Sequence, residues 1–124
     1  MNMKPKVLFL DDEASILRSV ERSFRKQNFD CVCFESAAQA LAYASQNEVC
    51  LVVTDFRMPE MDGVEFLRKL VEVRPGASRF LLSGFGDEKS INEAVESGLV
   101  HKYLLKPFNG ETLLKEISLV LGKS

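Results

Sequence analysis

Five positions carry side chains that could do chemistry together: the pair Asp11-Asp12, then Asp55, Ser83 and Lys106. The acids follow "KVLFL" (6–10), Asp55 follows "CLVVT" (50–54), Ser83 closes "RFLLS" (79–83) and Lys106 closes "KYLLK" (102–106). Three carboxylates in one cleft repel and raise each other's pKa unless a cation joins them. The donors on offer are oxygens, with no His or Cys nearby, which suits Mg²⁺ rather than zinc. A carboxylate held ionised beside Mg²⁺ can attack phosphorus and form an aspartyl phosphate. Such a transfer needs in-line positioning and neutralisation of the charge on the phosphoryl oxygens. Mg²⁺ supplies part of that neutralisation, the Lys106 ammonium another part, and the Ser83 hydroxyl a hydrogen bond. Asp55 is the candidate nucleophile. Taken singly, Asp12 reads as a helix N-cap, Ser83 as a turn residue and Lys106 as a solvated strand end. Only their joint placement makes a site.

The elements that must position them alternate. Besides the four runs above, "CVCF" (31–34) has strand length and character. Between the strands, Ile16/Leu17/Val20/Phe24, Ala38/Leu41/Ala42, Val64/Leu67/Leu70/Val71, Ile91/Ala94/Val95 and Leu113/Leu114/Ile117/Val120/Leu121 mark amphipathic helices. "SAAQ" from Ser36 and "DGVE" from Asp62 resemble capping boxes, Asn109 can cap the last helix, and Gly98 and Gly122 stand where helices should stop. Strict strand–helix alternation predicts a parallel sheet covered by helices on both faces, with right-handed crossovers. Ligands of such sheets bind beyond the carboxyl ends of the strands, where strand order reverses. All four chemical tips meet there.

Size and composition bound the rest. The 124 residues predict a single domain, 1–124, and 46% hydrophobic residues suffice for a core. A net charge of −2 argues against a nucleic-acid or membrane-surface module. No apolar run approaches the roughly 18 residues of a membrane span, and acids follow the short patch after Lys6, unlike a signal peptide. Cys31, Cys33 and Cys50 lack metal-ligand spacing; reduced packing residues of a cytoplasmic protein are the expectation.

The acidic pair after "VLFL", the "DFRMPEMDG" block, "LLSG" and "KYLLKPF", in this order and spacing, resemble the receiver domain of bacterial two-component response regulators over essentially the whole chain. The resemblance implies a flavodoxin-like α/β fold, a doubly wound (βα)5 with strand order 2-1-3-4-5. It implies a phosphorylation-dependent signalling switch, not an enzyme in the ordinary sense, that accepts a phosphoryl group on Asp55 from a sensor histidine kinase or phosphotransfer protein. Mg²⁺ would be held by Asp12, Asp55 and the backbone carbonyl of Arg57, with Asp11 acting mainly through water. Ser83 and Lys106 would contact the phosphoryl oxygens, the Lys106–Pro107 bond would be cis, and Tyr103 matches the switch aromatic. The output surface would be the face of helix 4, strand 5 and helix 5, docking an output domain, a partner or a second copy. Two departures stand out. Gly98-Leu99 replaces the common Gly-Ala, as in receivers attached to HD-type phosphodiesterases or hybrid kinases, and Ser83 replaces threonine with the hydroxyl kept.

Three further readings frame this one. A haloacid-dehalogenase-like phosphatase also uses an Asp nucleophile and Mg²⁺, but carries a second Asp two residues on, where this chain has Arg57. A receiver-like domain that has lost phosphorylation conflicts with the complete acidic site. A phosphohistidine relay through His101 lacks an acidic neighbour, so His101 is expected to be an exposed structural residue. Arg57 and Phe85 either tune water access to the site or are ordinary loop residues. The chain holds no effector segment after the fifth helix; a stand-alone receiver and the N-terminal domain of a longer regulator both fit.

Overall fold

The structure, a computed structural model, describes residues 4–84 and 87–122. Five strands and five helices alternate: β1 (Lys6–Leu10), α1 (Ala14–Ser23), β2 (Asp30–Phe34), α2 (Ala37–Gln46), β3 (Leu51–Asp55), α3 (Gly63–Val73), β4 (Ser78–Ser83), α4 (Glu88–Glu96), β5 (Lys102–Leu105) and α5 (Gly110–Leu121). All strand pairs are parallel, in the order β2-β1-β3-β4-β5. The parallel sheet is what the alternation predicts, and its flavodoxin-like strand order is what the resemblance implies.

Period-2 patterning divides the core into two layers. Leu8, Leu10, Val52 and Leu81 face α2, α3 and α4, where Ala40, Phe66, Leu67, Leu70, Ile91 and Ala94 are buried. Val7, Phe9, Leu51, Val53, Phe80 and Leu82 face α1 and α5, against Leu17, Val20, Leu113 and Ile117. A strand covered on both sides is apolar at every position, and β3 is buried throughout, Asp55 included. Cys31 and Cys33 pack on the α1/α5 layer, as their two-residue spacing requires.

The caps follow the local chemistry. Asp62 and Glu65 form a full capping box at α3; Ser36 accepts from the Gln39 N–H, and Asn109 from the N–H groups of Glu111 and Thr112. Gly98, at φ +86°, ends α4 in the left-handed region that disfavours side chains. One helix phase differs from the expectation. α2 buries Ala37, Ala40 and Ala44, leaves Leu41 half-buried, and exposes Ala38 and Ala42. An alanine-rich helix has little apolar contrast around its circumference, so its sequence period sets the phase weakly. Val95, expected on the apolar stripe of α4, is also exposed.

At the sheet edge remote from the acidic tips, Arg79 is buried and its guanidinium donates to the carbonyls of Leu99 (2.6 Å), Ala77 (2.9 Å), Pro75 and Gly98 (both 3.3 Å). Carbonyls that end a helix favour a cation. The C-terminal end of α4 is thereby anchored to β4. His101 joins this anchor: its Nδ1 accepts from the Arg79 backbone N–H at 3.0 Å.

Candidate functional site

The strand ends are held by hydrogen bonds that continue the sheet past its last residues. The Asp11 N–H donates to the Phe34 carbonyl (3.1 Å), Phe56 N–H to Leu82 (2.8 Å) and Lys106 N–H to Ser83 (2.7 Å). Together with the direct pairing of β1 and β3, these bonds fix the tips of β1, β3, β4 and β5 relative to one another. The Lys106–Pro107 peptide is cis. Gly63, at the start of α3, lets that helix lie against the end of β3; a Cβ there would stand 2.5 Å from the Asp55 carbonyl oxygen.

Asp11, Asp12 and Asp55 each present a carboxylate oxygen, and these oxygens lie within 4.8 Å of one another. Asp11 and Asp55 are buried, whereas Asp12 is exposed at the mouth. The Lys106 ammonium reaches both buried acids, at 3.0 Å from Asp55 Oδ1 and 3.4 Å from Asp11 Oδ2. Asp11 Oδ1 also accepts from the Glu13 N–H. Asp12 is not the N-cap of α1; Glu13 occupies that position, which leaves the Asp12 carboxylate to the cluster.

The electrostatics of these groups fit a cation-binding site. Burial raises the carboxyl pKa of Asp55, and the neighbouring acids raise it further, against the lowering effect of Lys106. Asp11 is raised for the same leading reason, with the Glu13 N–H and Lys106 opposing. Burial lowers the Lys106 pKa, but its bonds to Asp55 and Asp11 outweigh that and leave it raised. One ammonium thus serves two buried acids while a third carboxylate, Asp12, stands at the mouth, and a hard divalent cation with oxygen ligands fits the remaining charge. A second deficit lies alongside. The Ser83 Oγ is fully buried and, among the described residues, has no hydrogen-bond partner. A buried hydroxyl without a partner costs roughly 1–3 kcal/mol, and an acceptor bound in the cleft would remove that cost.

The family model of the response regulator receiver domain matches residues 7–118. The chain belongs to that family. This receiver domain is 30% identical, over 93% of its length, to the C4-dicarboxylate transport transcriptional regulatory protein DctD of Rhizobium meliloti, of which it covers 25%. It is 28% identical to the chemotaxis protein CheY of Bacillus subtilis, over 97% of this chain and 100% of that one. Its fold matches the signal receiver domain of an HD domain-containing protein from Pseudomonas fluorescens Pf-5 with a TM-score of 0.88, at 29% identity over 98% of this chain and 90% of that one. The chain spans about a quarter of the length of the transcriptional regulators it matches first.

The receiver's remaining residues sit as follows. Tyr103 is half-buried on the edge strand, on the α2/α3/α4 side, paired in register with Leu81. The Arg57 side chain is turned to Asp87, at the start of α4, with Nη2–Oδ1 at 2.6 Å and Nε–Oδ2 at 3.1 Å. Phe85 lies outside the described residues. His101 stands at the far edge of the sheet, bound to Arg79 and exposed. Asp87 was not singled out by the sequence. An aspartate just before a helix signals a cap, and nothing local points to a partner thirty residues away. Arg79 was hidden likewise, because a charged residue inside "RFLLS" reads as a solvated strand start. Among the described residues no helix is long and apolar enough to cross a membrane.

Proposed function

We propose that this receiver domain accepts a phosphoryl group on Asp55 from a sensor histidine kinase or phosphotransfer protein, and that the modified state redirects an output partner. The observation that carries this reading is an acid held at 3.0 Å by Lys106 together with, at the tip of the neighbouring strand β4, a buried Ser83 hydroxyl that has no partner among the described residues. An Asp55 oxygen attacks the donor's phosphorus, the bond from phosphorus to the donor nitrogen breaks, and the electron pair leaves with that nitrogen. Lys106 and Ser83 would each take a phosphoryl oxygen, through a charge-assisted and a neutral hydrogen bond respectively. Asp12, Asp55 and the Arg57 carbonyl would hold Mg²⁺, with Asp11 acting through water; the ion would lower the repulsion between the incoming phosphoryl group and the acids. A hydroxyl drawn toward the phosphoryl group vacates room beside β4, into which Tyr103 can move deeper, shifting the population between two packings. The output face is then α4–β5–α5, where Val95, Leu105 and Leu119 are exposed apolar residues. It would serve an output domain in a longer chain, a separate partner or a second copy, in the bacterial cytoplasm. Arg57 in place of a second aspartate leaves a phosphatase without its acid/base.

Acetyl phosphate and Mg²⁺ should add one base-labile phosphoryl group at Asp55, read by intact mass, and Asp55→Asn should abolish it. Stoichiometric labelling of Asp55→Asn would place the acceptor elsewhere and overturn the reading.

A further inference from the structure

Asp87 occupies the N-cap position of α4 without capping it. An N-cap aspartate ordinarily accepts from the backbone N–H two or three residues on, as Asp62 does at α3. The Asp87 side chain makes no such bond; both its oxygens are taken by the guanidinium fork of Arg57. The backbone differs in parallel. Ser36, Asp62 and Asn109, which do cap, have extended ψ angles of 130°, 172° and 128°, whereas Asp87 has ψ 9°.

Exposure is unequal across the pair: the Asp87 side chain is 5% exposed and that of Arg57 71%. A nearly buried carboxylate depends for its counter-charge on an arginine at the surface, two residues beyond Asp55. Losing one partner of a desolvated ion pair costs more than the pair itself contributes, because the remaining charge is stranded. α4 is therefore clamped by an arginine at each end. The C-terminal clamp, Arg79, is buried among carbonyls; the N-terminal one is free to turn toward solvent or toward the site.

We propose that the Arg57–Asp87 pair is a latch holding α4 in the resting packing, released by exchange of partners when Asp55 is phosphorylated. This rests on Asp55 being the phosphoryl acceptor. A phosphoryl group adds about 1.5 to 2 negative charges and three acceptor oxygens, and a guanidinium is the side chain best shaped to grip them. As Arg57 turns to them, Asp87 takes the first-turn N–H groups of α4, where a carboxylate is favoured. Neither charge is stranded. Capping requires the Asp87 backbone to become extended, which swings the first turn of α4 about the end held by Arg79. Asp87 is thus a positioning residue that acts through Arg57.

The test is made on the unphosphorylated full chain, by amide chemical shifts of residues 88–97. The line from resting wild type to wild type with beryllofluoride, which imitates the phosphoryl group, defines the direction of switching. Asp87→Asn and Arg57→Ala should each move those amides along that line without beryllofluoride, with at least about a fivefold rise in the switched-to-resting ratio, the low end of ordinary coupling between sites. The double variant should move them no further than the larger single change, since one interaction is lost in all three. A merely structural pair would lower the melting temperature and leave that direction unpopulated. Shifts confined to the neighbours of positions 57 and 87, or additive in the double variant, overturn the latch. Should Asp87→Asn fail to fold, Arg57→Ala, altered at an exposed side chain, decides alone. Mass labelling of wild type separates the two readings: absent labelling at Asp55 overturns the acceptor and the exchange, whereas normal labelling with local shifts overturns the latch only.

Discussion

At the scale of single residues, the chemistry depends on groups whose partners are few and identifiable. Lys106 is shared by two acids, Ser83 has a hydroxyl to offer, and Cys31 and Cys33 are kept as thiols, their pKa values pushed by burial up to about 11 and about 12. His101 is the one histidine of the sequence, the side chain type whose ordinary titration lies closest to neutrality. Burial and then the charge of Arg79 lower its pKa below 6.5. Because the folded value lies below the unfolded one, the neutral ring's contribution to stability is complete above about pH 6.5. It is lost as pH falls from there through the folded value. Protonation also removes the acceptor used by the Arg79 N–H. Melting curves should show wild type losing more stability than His101→Gln between about pH 7.5 and pH 5.5. Equal losses would remove His101 from the pH response.

At the scale of elements, the join between β3 and α3 sets the acceptor's position. The Asp62–Glu65 capping box starts the helix, and Gly63 lets it close on the strand, its N–H donating to Phe56 at 2.7 Å. A methyl group at Gly63 would meet the Asp55 backbone oxygen and Leu81 Cδ1, at 2.5 Å and 2.7 Å. Backbone cannot yield as a flexible side chain does. Gly63→Ala should therefore cost about 1–3 kcal/mol, the range for overpacking, and displace the end of β3 that carries Asp55. Denaturant midpoints and the rate of labelling by acetyl phosphate should fall together. Gly76→Ala, with open space around it, is the control and should stay within about 0.5 kcal/mol of wild type. A labelling rate unchanged in Gly63→Ala would show that the acceptor tolerates a moved strand end.

At the scale of the whole molecule, folding assembles three carboxylates and one ammonium from chain segments up to 95 residues apart, the separation of Asp11 and Lys106. The raised carboxyl values carry a sign: such groups favour the fold at low pH, and that contribution is lost as pH rises through their folded values. The metal-free fold thus carries a cost near neutrality that a bound cation offsets. Mg²⁺ at ten times its Kd should stabilise the chain by about 1.4 kcal/mol through linkage, seen as a higher melting temperature. Asp12→Asn should abolish that increment, and it should raise the metal-free melting temperature if repulsion dominates there. An unchanged Mg²⁺ response in Asp12→Asn would locate the ion elsewhere.

The sequence by itself determined the alternation of strands and helices, the parallel sheet and the identity of the tip residues. Apolar period, cap chemistry and the strand-end rule are local or topological, and Asp11, Asp12, Asp55, Ser83 and Lys106 are legible through them. The phase of α2 was not legible, because alanines on every side leave the sheet to select the buried face. Tertiary structure alone decided what the charged side chains do across the fold. Asp87 looks like a cap in its own segment, and Arg57 like a loop residue in another. Their pairing depends on how far the β3–α3 and β4–α4 connections approach, a distance that no local pattern encodes. Arg79 finds the Gly98 and Leu99 carbonyls in the same way, only once the end of α4 has been laid against β4.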